Sequence, residues 1–416
     1  MSPKPQNGDA TMPHGTTESV LIEAETPRWA PIIAIGLSTF AVVTTEMLPV
    51  GLMTPMAVSL GSSVGVAGLA LALPAFLAGV FAPVVLVASG GVDRRRILTG
   101  LLGLLAIANL ACAIAPSVSW LLAARILVGF CMGGVWAIAG GLAPRLVPPQ
   151  SQGLATAVIF GGVAAASVLG VPIGVLIADL ADWRTAFGAM AAFSGLALLL
   201  NLRTLPPLPV TQTVRPRQFL NLLARRPVWL GLGITLLLVA GHFMAYTFVR
   251  PLLQQLSGAP GQWIGPLLFA YGAAGVAGNF IAGAMAVRRI GRTLVLISGA
   301  LASTLFAFHL VGATVSGGAL VLVLWGLAYG GVSVSLQTWM MRSAPDAIEV
   351  ATSLFVATFN IAIALGSFAG GQVVDRLNLQ TNIQLAACLT LLALGLVLVA
   401  RPRRRNPDVM LRRKPT

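Results

Sequence analysis

The sequence predicts an all-α integral membrane protein whose twelve spanning helices form two pseudo-symmetric six-helix bundles. Three observations carry that expectation. Of 416 residues, 57% are hydrophobic and 9% charged, with a mean hydropathy of +0.89; a soluble domain carries about 25% charged residues. The apolar residues gather in twelve runs, near 29–54, 66–88, 97–115, 119–142, 153–177, 184–203, 228–253, 263–287, 293–312, 317–341, 350–373 and 381–400. These lengths suit a hydrocarbon core about 30 Å thick, which takes ~20 residues to cross. The chain also repeats. A shift of 196 maps Arg96 onto Arg292, Gly170 onto Gly366, Gly174 onto Gly370 and Asp179 onto Asp375. A shift of 197 maps Gly133 and Gly134 onto Gly330 and Gly331, and Arg145 onto Arg342.

The elements follow in order. Residues 1–27 form a polar cytoplasmic tail without the short apolar segment of a signal peptide. Residues 28–203 hold the first six runs. The longest polar stretch, 204–227, contains Pro206, Pro207, Pro209 and four arginines and is the expected cytoplasmic linker. Residues 228–400 hold the second six runs, and 401–416 form a basic cytoplasmic tail that anchors on anionic lipid. The Gly-rich fifth run (Gly161, Gly162, Gly170, Gly174) lacks the Lys-Ser/Thr of a phosphate loop. Small residues there let helices approach closely, and Pro172 bends the helix by removing a backbone donor.

A net charge of +14 on a soluble protein would point to nucleic acid. Here it sets topology by the positive-inside rule. With the N-terminus inside, 22 of the 26 Lys and Arg fall on the cytoplasmic side. Arg184, Arg250 and Arg376 fall outside, and Arg125 falls within a run. Both termini are therefore expected in the cytoplasm of a multi-pass inner-membrane protein. Cys112, Cys131 and Cys388 lie in apolar runs, with no metal or disulfide spacing.

Glu46 is the single acid well inside a run. An ionisable group at that depth costs about 2.5–3.5 kcal/mol or more and marks function. Arg125 lies at similar depth. The pair is expected to load and release a proton, with Glu46 as carrier; the alternative is a fixed structural ion pair. His242, the image of Glu46 under the 196 shift, is the second proton candidate, because imidazole titrates near neutral pH. Thr45, Trp136, Tyr246, Gln337, Trp339 and Asn360 are candidate substrate contacts. Aromatic faces with a few amides suit a flat, polar, neutral solute such as a nucleoside. Each alone also reads as interhelical packing. Clustered acids, histidines and nucleophiles are lacking, so an enzyme is not expected. No cofactor is expected, and energy would come from a proton gradient.

Several motifs resemble the major facilitator superfamily, over about 29–400, and within it the twelve-helix drug/proton antiporter branch. Thr45-Glu46-Met47-Leu48-Pro49-Val50-Gly51-Leu52 is similar to the helix 1 signature, and Asp93-Arg94-Arg95-Arg96 to the loop between helices 2 and 3. Arg125-Ile126-Leu127-Val128-Gly129 with Gly133-Gly134 resembles the helix 4 motif, and Gly170-Val171-Pro172-Ile173-Gly174 the helix 5 antiporter motif. Gly241-His242-Phe243 through Arg250-Pro251 resembles helix 7 of sugar and nucleoside exporters. Gly133 to Ala137, Arg145 to Pro149 and Leu52 to Ala57 are most similar to bacterial purine ribonucleoside efflux pumps. The loop departs from the family at Ser89, where a Gly is usual. The resemblance implies the major facilitator fold and a monomeric proton antiporter that exports a small solute, a purine ribonucleoside first. A multidrug or sugar exporter, or a proton-independent facilitator, is the alternative. It also implies gating roles for Asp93, Arg94, Arg96, Gly170, Pro172, Gly174, Arg289 and Arg292.

Overall fold

The computed structural model describes residues 29–88, 91–139, 142–209 and 216–400. The two tails and Ser89 lie outside the described residues. The spanning helices of the first half are α1 (Trp29–Ser59), α2 (Val64–Ala88), α3 (Arg94–Ala113), α4 (Val118–Ala139), α5 (Pro149–Leu180) and α6 (Trp183–Thr204). In the second half, α7 is Arg226–Tyr246, α10 Val315–Ser343, α11 Ile348–Arg376 and α12 Leu379–Ala400. Between them runs one 51-residue helical stretch, Gly261–Val311, broken at Arg289 (φ −146°, ψ 62°). At 1.5 Å per residue it would be roughly 76 Å long, more than twice a hydrocarbon core. It is therefore two spans, α8 (261–288) and α9 (290–311). Eleven apolar helices among the described residues thus make twelve crossings.

Burial separates central from peripheral helices. α1, α4 and α7 bury most of their surface, whereas α3, α6 and α12 bury about a third. Ile107 and Leu110 on α3 and Leu392 and Leu398 on α12 face outward, as lipid contact requires. The sequence linker is not featureless: Pro216–Leu223 is a short helix that buries Leu222 and leaves Arg217 and Leu220 exposed.

The repeat seen in the sequence is a repeat of contacts. A side chain added at Gly170 or Gly174 of α5 would strike Thr44 or Leu48 of α1. Their images, Gly366 and Gly370 of α11, sit equally close to Ala240 and Met244 of α7, the images of Thr44 and Leu48. Likewise Gly129 and Gly133 of α4 pack on Pro74 and Ala78 of α2, while Gly326 and Gly330 of α10 pack on Tyr271 and Gly275 of α8. Glu46 and His242 lie between the paired contacts on α1 and α7. Just before Pro172, α5 widens into a π-helical turn, Ala166–Gly170, because proline offers no N–H to the preceding turn.

Across the halves, α2 packs on α11 and α5 on α8. The halves are also tied by hydrogen bonds at the end remote from the linker. Arg250 Nη1 donates to the Gly51 carbonyl at 2.6 Å and Nη2 lies 3.5 Å from Asp179 Oδ1. Ser63 Oγ and Gly65 N donate to the Asp375 carboxylate at 2.5 and 2.9 Å. Thr54 donates to Gln254 at 3.2 Å. These bonds hold the two halves together at that end.

At the linker end of the bundle, Arg225 donates both guanidinium nitrogens to Asp346 at 2.6 and 2.7 Å. Those bonds hold the Asp346 carboxyl down at about 2. A depressed carboxyl stabilises the fold above its unfolded value of about 3.9 and loses that contribution as pH falls through the folded value. The pair is therefore intact at neutral pH.

Gly174→Leu is expected to destabilise the protein by about 1–3 kcal/mol, the usual cost of overpacking. Gly195→Ala, at a position with open space around it, is expected to be neutral or stabilising by up to about 1 kcal/mol. Thermal unfolding of the two purified variants compares them.

Candidate functional site

Helix α1 is interrupted twice by proline, at Pro49 and Pro55, and α2 at Pro74 and Pro83. Each proline leaves the carbonyl four residues earlier without a helical donor. Pro49 frees Thr45, Pro55 frees Gly51 and Pro74 frees Ala70. Inside a membrane such carbonyls must find donors within the protein. Arginines supply them. Arg125, fully buried on α4, donates Nε to Ala70 O at 2.6 Å, Nη1 to Thr45 O at 2.7 Å and Nη2 to Glu46 O at 3.0 Å. Arg250 donates to Gly51 O. Three proline-freed carbonyls are thus held by two guanidinium groups.

This corrects the expected ion pair between Glu46 and Arg125. The guanidinium binds the backbone of Glu46, and the two side chains form no ion pair within 4.0 Å. A guanidinium has five N–H groups in a rigid fork; here three nitrogens are committed to carbonyls. The Glu46 carboxyl is buried, and its Oε1 has no hydrogen-bond partner.

His242 lies fully buried in an aromatic cluster. The chain has three tyrosines, and all three meet there. The Tyr329 ring stacks on the imidazole with centroids 3.4 Å apart and 9° between planes. Tyr246 stacks on it at 5.0 Å, and Tyr271 stacks on Tyr246 at 4.7 Å. Trp325 Nε1 donates to His242 Nδ1 at 3.0 Å, and the Tyr271 hydroxyl lies 3.4 Å from Nε2. Indole can only donate, so Nδ1 carries no proton while this bond stands, and the ring is the Nε2–H tautomer. Tyr329 lies within electrostatic reach of Glu46, which links the acid of the first half to the aromatic cluster of the second.

The structure therefore brings together His242 and Tyr246 and adds Tyr271, Trp325 and Tyr329, which the sequence reading missed; Glu46 reaches this cluster only through its electrostatic interaction with Tyr329. The scarcity of tyrosine, with each in a different apolar run, was the available signal. Other candidates lie elsewhere. The Thr45 hydroxyl accepts from Asn109 at 2.9 Å and is buried between α1 and α3, so it is interhelical glue and not a solute contact. Trp339 donates to Pro227 O at 2.9 Å and packs on Gly231. It lies roughly 21 Å along α10 from Trp325, at the linker end and outside the cluster. Trp136 is half-buried and stacks on Phe160 of α5 at 6.3 Å. Gln337 is half-buried on α10, and Asn360 is buried on α11 and donates to Val356 O.

Of the gating candidates, Asp93 caps α3 through Arg95 N at 2.7 Å and accepts from Leu208 N at 2.9 Å, while Arg94 N donates to Leu208 O. The loop after α2 is thus bound to the segment after α6, within the first half. Arg145 donates to Pro209 O at 2.5 Å, and its image Arg342 donates to Val287 O at 2.7 Å. Arg96, Arg289 and Arg292 are exposed, the last two at the kink between α8 and α9. Gly170, Pro172 and Gly174 make the close approach of α5 to α1.

Arg125→Gln is expected to lower stability by about 3 kcal/mol or more, since each buried carbonyl left without a donor costs about 1–3 kcal/mol. Adding Pro74→Ala, which gives Ala70 O back its helical N–H, should recover about 1 kcal/mol in thermal unfolding. Trp325→Phe strands His242 Nδ1 and should cost about 1–3 kcal/mol. His242→Phe on that background should cost less than in the wild type, a coupling that a double-mutant cycle measures.

Comparison with known proteins places these features in context. A family model described as Major Facilitator Superfamily matches residues 35–355. The purine ribonucleoside efflux pump NepI of Escherichia coli O6:H1 is 32% identical over 376 residues, covering 89% of this chain and 94% of that protein. NepI of Salmonella enteritidis PT4 is 32% identical over 379 residues, covering 91% and 95%. Among solved structures, a bacterial homologue of the human lysosomal transporter Spinster, inward-facing and occupied, superposes with TM-score 0.69 at 17% identity, covering 89% and 96% of the two chains. The human organic anion transporter MFSD10 gives 0.63 at 20% identity, covering 89% and 99%. These two likenesses concern the fold.

Proposed function

The chain belongs to the Major Facilitator Superfamily and is a multi-pass membrane transporter, not an enzyme; on that premise we propose that it exports a purine ribonucleoside or a related metabolite in exchange for protons. The observation that carries the reading is Glu46. It is the one acid well inside a span, it is buried with Oε1 unpartnered, and it occupies the pseudo-symmetric image of His242. An ionisable group in that setting is functional by default. The relatives named as purine ribonucleoside efflux pumps support the solute class, and so do the stacked rings around His242. A flat base can lie on an aromatic face while its ring nitrogens and ribose hydroxyls find polar groups.

The cycle begins with the outer side closed by Arg250, Asp179, Asp375 and Ser63. Solute enters from the cytoplasm between the halves and stacks near Tyr329. The halves then rock about the central site, which breaks the outer ties. Outside, solute leaves and Glu46 takes up a proton, which it releases to the cytoplasm after the return. One proton carried inward is driven by about 2.3 kcal/mol per 100 mV, so one proton per neutral solute supports uphill export. The protein works as a monomer in the bacterial inner membrane with both termini in the cytoplasm.

Proteoliposomes loaded with labelled inosine and given an inward proton gradient test this. Glu46→Gln is expected to lower gradient-driven export at least about tenfold, the loss of roughly 1.4 kcal/mol or more of coupling. It should leave counterflow exchange of inosine measurable. Undiminished driven export would remove Glu46 from coupling and favour a facilitator. Export of sugars or cationic drugs with no inosine transport would overturn the solute class.

A further inference from the structure

A groove of about 950 Å³ opens at the cytoplasmic end of the second half, where the start of α7 meets the ends of α10 and α12. Arg226 and Arg342 line it together with Trp339, Leu230, Leu398 and Val399. Leu398 and Val399 are 51% and 68% exposed on a peripheral helix, so the groove opens sideways toward lipid and not into the transport path.

The groove is charged as well as apolar. No acid lines it. Arg226 is exposed and makes no ion pair or hydrogen bond among the described residues. Arg342 spends Nη2 on Val287 O, with no acid paired to it among the described residues. The nearby Asp346 is engaged by Arg225. The sequence that follows Ala400 at its edge is basic, with Arg401, Arg403, Arg404 and Arg405. The depth is that of the headgroups: Trp339 bonds the first turn of α7, and indole rings favour the membrane–water boundary.

We infer that the groove binds one anionic phospholipid of the cytoplasmic leaflet, its phosphate between Arg226 and Arg342 and an acyl chain along Leu398 and Val399. Guanidinium groups match phosphate in charge and geometry, and basic pockets between spanning helices on this side recruit anionic headgroups. The apolar strip distinguishes a lipid from a free phosphate, which would gain nothing from it. Seated there, the lipid bridges α7, α10 and α12. It also touches Ile290, next to the Arg289 break, and so braces the joint between α8 and α9.

The test uses full-length protein, stripped of lipid in detergent and titrated with phosphatidylglycerol or phosphatidylcholine, read by native mass spectrometry and thermal unfolding. Phosphatidylglycerol is expected to bind about tenfold or more tighter than phosphatidylcholine, and Arg226→Gln should cut that preference about fivefold, the effect of one basic residue at a membrane surface. Arg226→Lys should keep most of the preference, and both variants should unfold at the wild-type temperature in phosphatidylcholine. Leu398→Asn should weaken both lipids without altering their ratio. Equal binding of the two lipids, or full preference retained by Arg226→Gln, overturns the proposal. Displacement by inorganic phosphate at equal concentration would show a soluble-anion site and overturn it too.

Discussion

The structure turns on the bond between an arginine and a carbonyl that proline has stripped of its helical donor. A freed carbonyl in hydrocarbon costs several kcal/mol if it stays bare. A buried guanidinium is equally costly without acceptors. Each satisfies the other, and the geometry then dictates which helices must touch. Arg125 joins α4 to α1 and α2. Arg250 joins the second half to α1 at the end remote from the linker. The first of these bonds lies within one half and is built into its core. The second crosses between halves, so any separation of the halves at that end must break it.

That arrangement recasts the central acid. If Arg125 were the ion partner of Glu46, the carboxylate would be neutralised in place. Because the guanidinium is occupied by backbone, the Glu46 carboxyl is left without a salt bridge among the described residues, within electrostatic reach of Tyr329 of the other half. The pseudo-symmetry sharpens the contrast. One sequence position in the repeat holds a carboxyl in α1 and an imidazole in α7, and only the imidazole is fastened, by Trp325.

Glycine explains how the two halves keep the same internal geometry with different side chains. The pairs Gly170/Gly174 and Gly366/Gly370 let α5 and α11 approach α1 and α7 at matching heights. Gly129/Gly133 and Gly326/Gly330 do the same for α4 on α2 and α10 on α8. At Gly129, Gly133, Gly326, Gly330, Gly366 and Gly370 neighbouring backbone occupies the space a side chain would need, and at Gly170 and Gly174 the Thr44 and Leu48 side chains do. The sequence repeat is visible at glycine for that reason, and has faded at the lipid-facing positions, where any apolar residue serves.

By itself the sequence determined the spans and exposed the internal repeat. Hydrocarbon thickness sets run length, and the turn of a helix sets the four-residue spacing of the glycines on one face; both are periods that can be read along the chain. It also singled out Glu46, since a lone acid in an apolar run is visible without coordinates. Only the tertiary structure decided what Arg125 binds, that Thr45 is glue, that Trp339 lies at the far end of α10 from the cluster and that three tyrosines from three helices converge on His242. Those outcomes depend on which helix lies beside which and how each is rotated, and a period of apolar residues carries neither. The freed carbonyls were written in the positions of Pro49, Pro55 and Pro74, but their donors come from residues 55 to 199 positions further along the chain, and only folding brings the two together.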